Sequence, residues 1–199
     1  MSQLLFSDVK FLQRFLLFGG FNPGAIDGQA GAKTLAAQQQ FYDRTAAIKA
    51  ELGAFDSRSE ANIALLIPQA QRMARRLLSA AIAHGHTAKV ISGMRTYAEQ
   101  AELYAQGRSK PGNIVTNARP GQSYHNFGMA VDLGLFNGAT YIKSDAPYVA
   151  LGPVLLAAVP GVEWGGNWRK KKDNPHYQLA SAHGIDDLRR RFVAGLPFE

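Results

Sequence analysis

Apolar residues recur at helical spacing near the start of the chain. Val9, Leu12, Phe15 and Leu16 fall on one stripe, Ser7 before them is a residue type that caps helices, and Gly19-Gly20 closes the run. A turn-rich stretch follows, with Asn22-Pro23-Gly24 and Asp27-Gly28. A second helix is expected from near Lys33 through Ala36, Ala37 and Phe41, and residues 45 to 60 read as a partly helical connector. Ser57-Arg58-Ser59-Glu60 has the capping-box pattern and places another helix start there. Pro68 suits the first turn of the next helix, in which Met73, Leu77 and Ala81 share a stripe with Ala74, Leu78 and Ile82. Arg72, Arg75 and Arg76 fall outside that stripe, and Gly85 is a natural stop.

The pattern then changes period. Lys89-Val90-Ile91-Ser92 reads as a strand, Thr96-Tyr97-Ala98-Glu99 is a second capping box opening a helix through Tyr104, and Ala130–Phe136 and His176–Leu179 alternate as strands do. Helices and strands mix without a repeated βαβ rhythm, so the expected class is α+β: a small antiparallel sheet flanked by helices. A small helical module, residues 1–45, precedes the main domain, residues 46–199.

Composition narrows the chemistry. With 199 residues, 46% hydrophobic and 19% charged, the chain is an ordinary globular protein with room for one core and a small appended module. It has no cysteine, which removes disulfides, thiolate-bound zinc and thiol nucleophiles together. The net charge of +7 favours polyanions without choosing among nucleic acid, lipid and cell-wall polymer. The dense run Arg169-Lys170-Lys171-Lys172 reads first as a solvated loop. The apolar stretch Phe11 to Phe21 is interrupted by Gln13 and Arg14 and is too short to span a bilayer, so no stable membrane insertion is expected. Asp8 and Lys10 precede it and no small-residue cleavage site follows, which is not the layout of a signal peptide. Synthesis in the cytoplasm without export by the general route is the expectation.

Two segments carry candidate ligands. In Ser123-Tyr124-His125-Asn126-Phe127-Gly128-Met129-Ala130-Val131-Asp132, the histidine sits in a loop and the acid on the strand after it. Alternation puts Ala130 and Asp132 on one face and Val131, Leu133 and Leu135 on the other. In Asp173-Asn174-Pro175-His176-Tyr177-Gln178, His176 and Gln178 share a face and Tyr177 and Leu179 the other. Either segment alone also fits an ordinary loop histidine and a strand-edge acid. Together they supply two imidazoles and a carboxylate, a set that leaves a fourth zinc position for water, with Asp173 spare as a general base. The chain has no HExxH motif, which excludes the helix-borne arrangement. Glu163-Trp164-Gly165-Gly166-Asn167-Trp168 offers two indoles as a substrate wall, though either suits a core equally well.

These segments resemble the M15 peptidases, the D-alanyl-D-alanine carboxypeptidase and dipeptidase family, and within it the branch of phage L-alanyl-D-glutamate endopeptidases. Ser123, His125, Gly128, Ala130 and Asp132 match the family's SxHxxGxAxD motif in full. Asp173, Pro175 and His176 match its second motif, an acid two residues before Pro-His. Ser92-Gly93-Met94-Arg95-Thr96 is similar to its SGYRS segment with Met94 and Thr96 substituted, and Gln100 also fits. The first forty-odd residues resemble the peptidoglycan-binding-like module of wall hydrolases, through Leu12-Gln13, Leu16, Gly20, Pro23-Gly24, Ile26-Asp27-Gly28, Gly31, Lys33-Thr34 and Phe41. That family module has a further helix in front, for which this chain has no room. The resemblance implies Zn2+ on His125, Asp132 and His176, with Asp173 as base and Arg95 stabilising the oxyanion. It also implies substrate contacts from Ser123, Trp164 and Gln100. The implied partner is bacterial peptidoglycan, not nucleic acid, and the implied protein is a monomeric lysis enzyme of a phage or prophage, acting on the wall once the membrane is permeabilised. Three other readings share parts of this pattern: a D-alanyl-D-alanine carboxypeptidase, a wall-binding protein with structural zinc, and a muramidase using paired carboxylates.

Overall fold

The computed structural model describes residues 3–198. The helices are α1 (Val9–Phe18), α2 (Ala32–Leu52), α3 (Ser57–Ile63), α4 (Pro68–Ala83), α5 (Tyr97–Ala105), α6 (Asp145–Ala158) and α7 (Ile185–Ala194). The strands are β1 (Thr87–Ser92), β2 (Ala130–Asn137), β3 (Thr140–Tyr141), β4 (Val162–Trp164) and β5 (His176–Leu179). Single 3-10 turns lie at Tyr124–Phe127 and Gly165–Asn167. The sheet is antiparallel in the order β1-β2-β5-β4, with β3 paired to β2, so the α+β class expected from the sequence is what forms.

The chain divides into two compact units. The first gathers the chain up to Ala47, Arg95–Phe127 and the stretch from Ala182 onward. Its core is aromatic: Phe192 of α7 meets Phe11 and Phe18 of α1 and Phe127 of the first 3-10 turn at ring-centroid distances of 5.3, 5.5 and 5.4 Å. The N-terminal helices thus share one hydrophobic core with the C-terminal helix and with the turn that carries His125. The cap of α1 is Asp8, whose carboxylate accepts from the Phe11 amide, and not the expected Ser7.

The second unit spans Ile48–Met94 and Gly128–Ser181 and contains the sheet. α4 buries Met73, Ala74, Leu77, Leu78 and Ala81 as the stripe requires, while Ile82 at its end is exposed. Arg75 lies outside the apolar stripe of α4 yet is fully buried. It turns inward to two acceptors that the helical period cannot reveal, a bidentate pair with Glu60 of α3 at 2.8 and 2.9 Å and the Gly53 carbonyl at 2.7 Å. Glu60 is therefore not the far half of a Ser57 capping box. Asp56 caps α3, and Glu60 accepts from the Phe55 amide. α3 in turn covers the edge strand β1, since Ser59 Oγ accepts from Val90 N–H and Asn62 donates to the Val90 carbonyl, both at 2.9 Å. The register of β1 against β2 shifts between Val90 and Ser92.

Candidate metal centre

Sheet register assembles the centre. β2 and β5 place Asp132 directly opposite His176, and Ala130 opposite Gln178, so the alternation read from each strand converges on one face. Asp132 Oδ1 lies 3.3 Å from His176 Nδ1. His125 enters from the 3-10 turn that Gly128 and Met129 join to β2. One ligand atom from each of His125, Asp132 and His176 lies within 4.8 Å of the others. In the family SxHxxGxAxD pattern the histidine and acid are seven residues apart, and the rest of the turn, the Gly128-Met129 link and three strand residues cover that spacing.

The donor set fits a zinc ion. Tetrahedral zinc with bonds of about 2.0–2.1 Å to nitrogen and oxygen separates its ligands by about 3.3–3.4 Å. The Asp132–His176 pair already stands at that separation, which is longer than the usual optimum for a charge-assisted hydrogen bond. Burial opposes the charged form of His176, yet the hydrogen bond and charge of Asp132 outweigh it, and the imidazole pKa is raised. On its other edge, His176 Nε2 lies 2.9 Å from Gln178 Oε1, and Gln178 Nε2 donates to Glu163 Oε2 at 2.8 Å.

Asp173 is tied to the head of β5, its carbonyl accepting from His176 N–H at 3.2 Å. The preceding loop closes on Gly165, whose carbonyl accepts from both Trp168 and Asp173 amides at 3.1 Å. A Cβ at position 165 would stand 2.4 Å from the Asp173 carbonyl oxygen, so this closure requires glycine. The basic run 169–172 is the exposed tip of that loop.

The two indoles of the Trp-Gly-Gly segment differ. Trp164 is 5% exposed; its Nε1 donates to the Asn174 carbonyl at 2.8 Å and its ring stacks on Tyr177. Trp168 is 36% exposed, and its ring centroid lies 5.0 Å from that of His176. Both line a cleft of about 290 Å³ with Leu156, Val162, Glu163 and Asn167. Trp168 is thus the indole beside the centre, while Trp164 builds the wall behind the cleft.

Arg95 precedes α5, whose capping box Thr96–Glu99 forms as the sequence implies. The Arg95 amide donates to the His125 carbonyl, and Asn126 Nδ2 donates to the Arg95 carbonyl, each at 3.0 Å. Gln100 is fully buried and holds the guanidinium, accepting from Arg95 Nη1 at 3.2 Å while donating to the Ala118 carbonyl at 2.9 Å. Ser123 lies at the head of the His125 turn, its carbonyl accepting from Asn126 N–H at 2.9 Å. Glu163 and Gln178 were not singled out as site residues from the sequence, and of the two indoles offered as a substrate wall only Trp164 was given a substrate contact. The one signal available was alternation on β5, which puts Gln178 on the face of His176.

Residues 64–157 match the sequence model of the family described as VanY: D-alanyl-D-alanine carboxypeptidase. The peptidoglycan L-alanyl-D-glutamate endopeptidase CwlK of Bacillus subtilis is 41% identical over 122 residues, 57% of this chain and 73% of that protein. The L-alanyl-D-glutamate peptidase of Listeria phage A118 is 32% identical over 129 residues, 62% of this chain and 41% of that protein. Among solved structures, the Serratia marcescens L-Ala D-Glu endopeptidase ChiX superposes with a TM-score of 0.49 at 28% identity, over 63% of this chain and 89% of that one. At 41% identity to a relative of which it covers nearly three quarters, the chain belongs to the VanY-type M15 peptidases.

Proposed function

We propose that this protein is a zinc-dependent endopeptidase that hydrolyses the L-alanyl-D-glutamate bond of peptidoglycan stem peptides. The observation that carries the reading is the meeting of His125, Asp132 and His176 at one point, in a chain 41% identical to an endopeptidase of that specificity. His125, Asp132 and His176 would hold the ion. Zinc held there supplies Lewis acidity toward a water molecule and toward a carbonyl oxygen. Asp173 takes the proton of the attacking water and returns it to the leaving amine. The Arg95 guanidinium, braced by Gln100, answers the negative charge that develops on the carbonyl oxygen. Ser123 hydrogen-bonds the substrate backbone, and the cleft beside Trp168 and Trp164 receives a flanking part of the stem. The phage origin of the A118 relative supports a lysis enzyme that reaches the wall after membrane permeabilisation, with residues 1–45 as the peptidoglycan-binding-like helical segment and residues 46–199 as the catalytic domain.

A second reading, D-alanyl-D-alanine carboxypeptidase, is favoured by the family model that matches residues 64–157. Digestion of purified sacculi by wild type and Asp173→Ala, followed by mass spectrometry, separates the two. New amino-terminal D-glutamate released by wild type alone is the expected result. Loss of terminal D-alanine instead would move the assignment to the carboxypeptidase.

A further inference from the structure

We infer that Glu163 and Gln178 are positioning residues that act in series, fixing the proton of His176 on Nε2 and aiming its Nδ1 lone pair at the metal position. The inference rests on the metal-site reading above and adds two residues to it.

The argument starts from register. β4 and β5 pair Glu163 with Gln178 directly, and Gln178 shares its face of β5 with His176 two residues earlier. The three side chains form one line: Glu163 Oε2 to Gln178 Nε2 at 2.8 Å, then Gln178 Oε1 to His176 Nε2 at 2.9 Å. Gln178 is 3% exposed and His176 5%, so solvent does not compete for the contact between them, while Glu163 meets Gln178 from the exposed side of the sheet. An ionised carboxylate only accepts hydrogen bonds. Glu163 therefore dictates that the amide nitrogen of Gln178 faces it, and the amide oxygen must face the imidazole. An oxygen 2.9 Å from Nε2 requires N–H at that position. A neutral imidazole protonated on Nε2 carries its lone pair on Nδ1, and Nδ1 is the atom 3.3 Å from Asp132 Oδ1. Reversing the amide would bring two acceptor oxygens together at Glu163 and move the ring proton to Nδ1, where it would block the metal. Metal-binding histidines elsewhere are oriented through their second nitrogen in the same manner. Here an amide stands between the carboxylate and the ring and transmits its polarity.

The test uses the full chain. In zinc-loaded protein with labelled histidine, where the ion takes the place of a proton between Nδ1 and Asp132, long-range proton–nitrogen correlation should show His176 protonated on Nε2. Zinc affinity is measured by competition with a chromogenic chelator, with thermal unfolding confirming that each variant is folded. Gln178→Leu should weaken zinc binding about 10–100-fold. Glu163→Gln preserves shape but can donate as well as accept, so it should populate both tautomers and weaken binding by a smaller factor. A wild-type Nδ1–H tautomer, or wild-type zinc affinity in both folded variants, would overturn this inference alone. Failure of the wild type to bind zinc would overturn the metal centre and this inference with it.

Discussion

Replacing Glu60 by Gln should destabilise the protein by about 3 kcal/mol near neutral pH, and the loss should shrink in acid. Arg75 is among the most buried side chains, and its guanidinium is matched by the two carboxylate oxygens of Glu60. The Arg75 hydrogen bond, against some opposition from burial, lowers the Glu60 pKa from 4.5 to about 2, helped by the Phe55 amide and Lys49. One pH unit of displacement corresponds to about 1.4 kcal/mol, which sets an upper figure of about 3 kcal/mol for the ionised carboxylate. The Glu60 side chain is 17% exposed, so solvent screening trims this modestly. The cost of leaving a buried charge without its counter-ion, about 3–5 kcal/mol, agrees in size. Because the folded-state pKa lies below the unfolded one, the contribution is complete above 4.5 and is lost as pH falls toward 2. Urea unfolding of wild type and Glu60→Gln near pH 7 and again near pH 3 measures this. The difference should fall from about 3 to about 1 kcal/mol across that interval. A difference below about 1 kcal/mol at neutral pH, or one that stays constant on acidification, would refute the reasoning.

Three further outcomes follow from the packing. Gln100→Leu removes the acceptor that holds the Arg95 guanidinium, and a hydrogen bond to a charged group is worth about 1.5–3 kcal/mol. Hydrolysis of soluble stem peptides should therefore lose at least about tenfold in kcat/KM while metal content matches that of wild type, and unchanged turnover would remove Arg95 from the reaction. Phe192→Ala empties the ring shared by α1, α7 and the His125 turn; denaturant unfolding should show a loss of about 3–5 kcal/mol, and a small loss would mean that the N-terminal helices fold independently of this core. Gly152→Ala puts a methyl 2.4 Å from the Trp164 ring, which Gly166 confines on another side; thermal unfolding followed by near-ultraviolet circular dichroism should report a loss of about 1–3 kcal/mol.

Much of this protein was legible because its signals are local. Pro68 at the head of α4, the Thr96–Glu99 capping box and Gly85 after α4 each act through neighbours within one helical turn, and each stands where the sequence puts it. The strand at His176–Leu179 has the bounds that its alternation implies. α6 and α7 escaped for a related reason: Gly152 and Pro153 interrupt the helical signal of α6, and α7 buries only Leu188 and Phe192. The three residues that cluster at the candidate centre, His125, Asp132 and His176, were nameable in advance because metal chemistry of this kind needs those side-chain types in a fixed local spacing.

What lies beyond the reach of one turn or one strand was decided only in three dimensions. Helical period alone leaves Arg75 outside the apolar stripe, and only the arrival of Glu60 from α3 makes its burial possible. Two indoles flanking two glycines are equivalent in the sequence. Stacking on Tyr177 puts Trp164 inside, while closure of the loop on Gly165 leaves Trp168 beside His176. Glu163 stands thirteen residues before His176 along the chain, and nothing in their spacing links them. The antiparallel register of β4 and β5 does, because it sets Glu163 opposite Gln178, whose amide meets the imidazole. The sequence thus determined which groups are present and which face of each strand they occupy, since both follow from covalent order and backbone period. Pairing between strands and contacts between helices, which depend on residues far apart in the chain, decided which of those groups meet.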